Sequence, residues 1–392
     1  MERVRVLYIT DGGPGGVSSH VRCLTQCLKG VAEVKVCITY RTTALKEMLE
    51  EDGTPYVCCD CKNGHDLRLL FKVRKVIREF KPEVIHFHDI PLLAALYVKM
   101  LRRLRGLGML GRLRGLGRLR WLGRLRGLRR LRGLGRLSGL RRLRVFSTIH
   151  TPSASQHVQF SRAVLNWAVE PCYWLPVSGP NWNNFKTRYP KAKGEVFFNP
   201  VKIGVAGSRS RTADGEKSFV VGMVGRNAEV KDWPSFCAVA QRCERMKFVG
   251  VGVSEDEAKA FGEDAKFVEW KGLQPNGREW IGRMDLLLLT SFTEEMPTVI
   301  LEAFQVGTPV CGFIPRGGMS DILALSNGAL KEVFIEERDP QKLAEIVQRL
   351  TNDADLRRRV IEDGWQILTQ HFDAEKNCRG RLMELYRGDE NA

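Results

Sequence analysis

The chain opens on Val4-Arg5-Val6-Leu7-Tyr8-Ile9, continues through Thr10-Asp11-Gly12-Gly13-Pro14-Gly15-Gly16, and runs from Val17 to Leu28 with apolar residues at helical spacing. A short run of branched apolar residues reads as a buried strand, the glycines as a tight turn, and the stretch from Val17 to Leu28 as an amphipathic helix. This is the first half of a βαβ unit. The same alternation continues outward. Strands are expected over residues 34–38, 56–59, 84–87 and 145–149, with a helix over 67–80. Strands separated by helix-length segments imply a parallel sheet with helices on its faces.

The pattern restarts after about residue 202. Residues 204–217 are polar, rich in Gly, Ser and Arg, and without periodicity, so they read as a linker. Strands are then expected over 219–223, 247–251, 267–270, 285–289 and 309–313. Helices are expected over 233–242, 299–305, 340–350 and 354–371. The fold class expected is α/β, with two doubly wound Rossmann-like domains in tandem: 1–203, 204–373, and a last helix within 374–392 that packs back on the first domain. A length of 392 residues suits two domains.

Charge is concentrated in one place. The chain carries 62 Lys and Arg against 45 Asp and Glu, net +17. Residues 101–144 hold 16 Arg, 15 Leu and 10 Gly and no acidic residue; without them 46 basic and 45 acidic residues remain. The basicity therefore says nothing about partners of the rest. Leu recurs at every third position, a period that spirals around an α-helix and leaves no lasting apolar face. The segment reads either as a tandem expansion tolerated on a surface loop or as an arm for anionic membrane. Nucleic acid is disfavoured, because Trp121 is the only aromatic residue available for stacking.

The 11 cysteines and the absence of a signal peptide or a long apolar run point to reduced thiols and a cytoplasmic protein, peripheral at a membrane surface if the basic arm docks there. The Cys58-Cys59-Asp60-Cys61 run lacks a second ligand pair for zinc.

Three segments carry chemistry. Gly15 and Gly16 allow backbone N–H groups at a helix start to approach an anion. Gly225-Arg226-Asn227-Ala228-Glu229-Val230-Lys231 follows the first strand of the second domain and puts two cations where a diphosphate would lie. Thr293-Glu294-Glu295-Met296-Pro297-Thr298-Val299-Ile300-Leu301-Glu302 places two carboxylates around a helix start, with seven residues between Glu294 and Glu302, so that both can accept from ligand hydroxyls. His88 ends a strand on the same edge and suits an acceptor contact; His86 and His20 read as packed. The single Asp-x-Asp, Asp353-Ala354-Asp355, opens a helix and reads as a cap, so no divalent ion or other cofactor is called for.

Taken in order, the Gly-rich loop, Val84-Ile85-His86-Phe87-His88, Ser147-Thr148-Ile149-His150, Pro176-Val177-Ser178, Asn199-Pro200, Gly225-Arg226 and the paired glutamates resemble the retaining nucleotide-sugar glycosyltransferases of family GT4 (glycosyltransferase group 1). The resemblance spans nearly the whole chain outside the Arg-rich segment. It implies the GT-B fold, in which two Rossmann-like domains face a cleft. It also implies metal-independent transfer of a sugar, with retention, from a nucleotide diphosphate donor to a glycan or lipid-linked acceptor. By that resemblance Gly15 and Gly16 touch the donor phosphate, Arg226 and Lys231 clamp the diphosphate, Glu294 orients the sugar and Glu302 holds the ribose. His150 contacts sugar and acceptor. Glu295 stands where the family often has Gly, Asp232 where Gly is common, and Asp321 in place of a frequent Glu. Two rival readings are another reaction on this fold, such as nucleotide-sugar epimerisation or phosphorolysis, and an inactive scaffold whose basic arm binds membrane or nucleic acid.

Overall fold

The computed structural model describes residues 3–13, 15–40, 44–62, 66–88, 143–150, 172–203 and 218–388. Residues 101–142 of the Leu-Arg-Gly segment and the linker 204–217 lie outside the described residues. The chain divides into two compact units: Met1–Pro176 with Lys186–Glu195 and Arg381–Ala392, and Val177–Phe185 with Val196–Gly380.

The first unit is built on a seven-stranded sheet in the order β3-β2-β1-β4-β5-β6-β7. Its strands are β1 Val4–Thr10, β2 Ala32–Tyr40, β3 Tyr56–Cys61, β4 Val84–His88, β5 Arg144–Thr148, β6 Tyr173–Trp174 and β7 Lys193–Gly194. Every pairing is parallel, so both faces of the central strands are covered. Leu7, Tyr8 and Ile9 are accordingly fully buried. Helices α1 Gly16–Cys27, α2 Ala44–Glu51 and α3 Arg68–Phe80 connect the early strands. Between β1 and β4 the strand order reverses direction. Open α/β sheets bind ligands at such a reversal.

The second unit repeats the plan with six parallel strands in the order β10-β9-β8-β11-β13-β15. These are β8 Val220–Val224, β9 Lys247–Val251, β10 Val268–Trp270, β11 Leu286–Leu289, β13 Val310–Phe313 and β15 Phe334–Ile335. A separate two-stranded pair, β12 Thr293–Glu294 and β14 Arg316–Gly317, lies beyond the end of β11. Trp233, Phe236, Phe304 and Phe313 fill the core of this unit. Its reversal falls between β8 and β11.

The unit boundaries differ from those expected at residues 203 and 373. Residues 196–203 stay with the second unit because Val201 N–H donates to the Phe372 carbonyl at 2.7 Å and Ala374 N–H to the Val201 carbonyl at 2.9 Å. Residues 186–195 join the first unit, where β7 pairs with β6. The last helix, Gly380–Arg387, packs in the first unit. Tyr386 Oη lies 2.5 Å from His86 Nδ1, Arg144 donates to the Tyr386 carbonyl at 2.8 Å, and Arg381 pairs with Glu195 at 2.7 Å. Asp353 caps the helix Ala354–Ile367, accepting from Leu356 N–H at 2.8 Å. Among the described residues no helix is long and apolar enough to cross a membrane.

Candidate functional site

In the second unit the two loops at the strand-order reversal are bonded to each other. Thr290 Oγ1, just past β11, donates to the carbonyls of Lys231 at 2.9 Å and Asp232 at 3.0 Å. Phe292 N–H donates to the Val230 carbonyl at 2.8 Å. This brings Lys231 Nζ to 2.6 Å from Glu294 Oε1, and Ser291 Oγ donates to the same oxygen at 2.7 Å. The pair is largely shielded: the side chains are 18% and 13% exposed. The resemblance separates these residues into a phosphate cation and a sugar carboxylate. The structure shows them as one unit of opposite charges, each fixing the other's direction.

Two further features hold that pair. Gly317 carries φ +115°, and a Cβ placed on it would overlap the Glu294 carbonyl oxygen. Gly318 N–H donates to that same oxygen at 2.8 Å. Arg338, in an irregular stretch before the helix Pro340–Asn352, lies against the rings of Phe292 and Phe313, its guanidinium carbon 4.1 and 4.6 Å from their centroids. It donates to Asp232 at 2.5 Å, to the Ser291 carbonyl at 3.1 Å and to the Thr290 carbonyl. Asp232 has φ +54° and caps the helix Trp233–Gln241 by accepting from Ser235 N–H at 3.3 Å. Arg338 thus ties the cation loop to the carboxylate loop. Sequence reading passes over it because Glu336-Glu337-Arg338-Asp339 looks like a solvated charge run.

Arg226 follows β8 with an exposed side chain, its carbonyl accepting from Trp233 Nε1–H at 3.2 Å. Glu302 lies on the helix Thr298–Val306. Neither bonds to the Lys231–Glu294 pair among the described residues. Glu295 accepts from Asn181 Nδ2, and Asp321 accepts from Gly179 N–H at 2.7 Å. Burial pushes both carboxyls up from their ordinary values. These two departures from the family pattern hold the segment Val177–Phe185 within the second unit.

Burial pushes the Glu302 carboxyl from its ordinary 4.5 up to about 7, with the Arg278 charge opposing. The folded chain therefore keeps a proton that the unfolded chain has released, and stability falls as pH rises from the unfolded value to the folded one. Glu302→Gln is expected to match the parent protein near pH 5 and to exceed it by about 2–3 kcal/mol near pH 8. Urea unfolding at the two pH values measures this; equal midpoints at both would show that Glu302 ionises normally.

In the first unit, Gly15 has φ +111°, is the residue before α1 and is exposed, as is Gly16. The turn is fixed by Gly12 N–H donating to Thr10 Oγ1 at 3.2 Å and by Ser18 Oγ donating to the Gly13 carbonyl at 2.5 Å. His88 closes β4, His150 follows β5, and His20 sits one turn into α1. All three converge, with one ring nitrogen from each within 4.8 Å of the others. His88 Nδ1 is 3.4 Å from His150 Nε2, and the His20 ring stacks edge-on to His150 with centroids 4.6 Å apart. Burial pushes His150 down to about 3; burial and the neighbouring His86, His20 and His150 hold His88 well below its usual range. His86 is packed as expected, between Tyr386 and Thr148. His20, by contrast, reads from sequence more readily as a structural residue than as a site residue. The signal for its position is its place four residues after Gly16, on the helix that follows the strand beside β4.

Comparison with known proteins adds to this geometry. A family model described as Glycosyl transferase 4-like domain matches residues 15–164, and one described as Glycosyl transferases group 1 matches residues 218–353. TuaC of Bacillus subtilis (strain 168), named for a glycosyltransferase of teichuronic acid biosynthesis, is 31% identical over 103 residues, 26% of this chain and 25% of that protein. The lipopolysaccharide core biosynthesis glycosyltransferase LpsE of Rhizobium meliloti (strain 1021) is 24% identical over 176 residues, 44% of this chain and 51% of that one. The matched stretches thus span about a quarter to a half of these relatives' lengths. The structure of Anabaena Alr3699/HepE in complex with UDP and glucose superposes with a TM-score of 0.71 at 18% identity, covering 98% of this chain and 100% of that one. A glycosyltransferase from Rickettsia africae ESF-5 superposes with a TM-score of 0.74 at 12% identity, covering both chains fully. These likenesses match the two Rossmann-like units of the GT-B fold.

Proposed function

The chain belongs to the group 1 glycosyltransferases of the GT4 type, and on that footing we propose that it transfers a sugar from a nucleotide diphosphate donor to a glycan or lipid-linked acceptor, with retention and without a metal in the transfer step. The observation that carries this reading is the Lys231–Glu294 pair at the strand-order reversal of the second unit, 2.6 Å apart and held from both loops. Open α/β sheets bind ligands at such a point. Arg226 and Lys231 would neutralise the charge that develops on a departing diphosphate, and Glu294 would accept from sugar hydroxyls. Arriving phosphate competes with Glu294 for the ammonium and leaves the carboxylate free to orient the sugar. Glu302 would accept from the ribose. In the first unit, Gly15 and Gly16 offer backbone N–H groups to a phosphate, and His150 and His88 can accept or donate at acceptor hydroxyls. A cytoplasmic location, with peripheral contact to anionic membrane through residues 101–144, belongs to the same reading.

The UDP complexes of the Anabaena neighbour make uridine donors the first to try. A thermal-shift series with uridine, guanosine and adenosine diphosphate sugars is expected to single out one base. A donor at about 100 times its Kd adds roughly 2.7 kcal/mol of stability. Incubation with that donor and candidate acceptors should then give a product with the donor's anomeric configuration. If no nucleotide sugar shifts the midpoint and none is consumed, the proposal is wrong.

A further inference from the structure

We infer that His20, His88 and His150 form a three-imidazole site for a transition-metal ion of the zinc, cobalt or nickel class. The three rings come from separate elements, α1, the end of β4 and the residues after β5, yet place one nitrogen each within 4.8 Å of one another. Zinc holds imidazole nitrogens at about 2.0–2.1 Å, so two nitrogens on one tetrahedral ion stand roughly 3.3–3.4 Å apart. His88 Nδ1 and His150 Nε2 are 3.4 Å apart. That separation is long for an N–H···N hydrogen bond and right for a shared ion.

The chemistry of the donors fixes the class. Among the described residues the cluster contains imidazoles and no carboxylate or thiolate. Hard oxygen-seeking ions such as Mg²⁺ or Ca²⁺ gain little there, whereas borderline ions suit it. His20 is 3% exposed and His88 fully buried, so few atoms around the cluster are open to solvent. Three protein ligands leave a fourth position for water or for an oxygen of a bound molecule. An ion held there would occupy the nitrogens of His88 and His150 that the proposed function turns toward acceptor hydroxyls, so it would compete with the acceptor and take no part in transfer; the test reads the ion alone.

The test is a titration of tag-free, EDTA-stripped, full-length protein with Co²⁺ under reducing conditions. The expected result is one equivalent bound, with the visible d–d absorption of four-coordinate cobalt, no intense near-ultraviolet thiolate-to-cobalt band, and displacement by Zn²⁺. His150→Gln and His20→Gln are each expected to weaken binding by at least about tenfold, the loss that even an outer-shell partner can cause. His371→Gln, outside the cluster, is expected to bind as the parent does. His150 is the least buried of the three; its variant decides the question should His20→Gln fail to fold. A spectrum of hydrated six-coordinate cobalt only, a thiolate band, or undiminished binding by folded His150→Gln would each overturn the inference.

Discussion

Lys231→Ala is expected to lower sugar transfer by roughly 100- to 1,000-fold, the loss caused by removing one preorganised group that faces developing charge. Glu294→Ala should fall as far. The ammonium and carboxylate are 2.6 Å apart and less than a fifth exposed, so solvent screens them little. A pair with a purely structural role makes a different prediction. Each single change would then act by orphaning its partner, and Lys231→Met with Glu294→Gln, which removes both charges at nearly constant volume, would recover activity. If the two groups act on the donor, the double variant stays as inactive as either single one, while its circular dichroism and unfolding midpoint remain close to the parent's. Recovered activity, or unchanged transfer in both single variants, would remove the donor site from the second unit.

Gly317→Ala is expected to do comparable damage without touching any charged group. At φ +115° a Cβ costs about 1–3 kcal/mol in backbone strain. The new methyl would also overlap the Glu294 carbonyl oxygen. Relief requires β12 and β14 to part, and that carries Glu294 away from Lys231. A shift of about 1 Å at a reacting centre costs roughly 100-fold. Transfer assays beside urea unfolding should show a loss in kcat and a lowered midpoint. A Gly317→Ala protein equal to the parent in both would mean that the β12–β14 pair does not position Glu294.

What can be read from sequence is local. The opening strand, glycine turn and helix are found at Val4–Thr10 and Gly16–Cys27, and the restart is found at Val220–Val224. Periodicity reports such elements because each buries its own face. The pairing of Lys231 with Glu294 lies one level up. It depends on β8 standing beside β11, and strand order is set by packing across the sheet rather than by any local pattern. The same holds for His20, which reads as one more buried residue of α1 until β4 and β5 bring His88 and His150 to it. Arg338 leaves no local signal, since its partners are two carbonyls, two rings and an aspartate from distant segments. A division of the chain at residue 203 is misplaced because backbone bonds such as Val201 N–H to the Phe372 carbonyl leave no mark in composition.

The helix Gly380–Arg387 has a consequence for biosynthesis. Tyr386, which reaches His86 in the sheet of the first unit, is made 300 residues after it. Domains commonly fold in the order in which they emerge from the ribosome. Here the earlier-made half waits, with one face of β4 and β5 uncovered by their last helix, until translation of the later half is nearly done. Nascent chains stalled before residue 380 should therefore be the form that chaperones hold and proteases cut, and the second half should become resistant first.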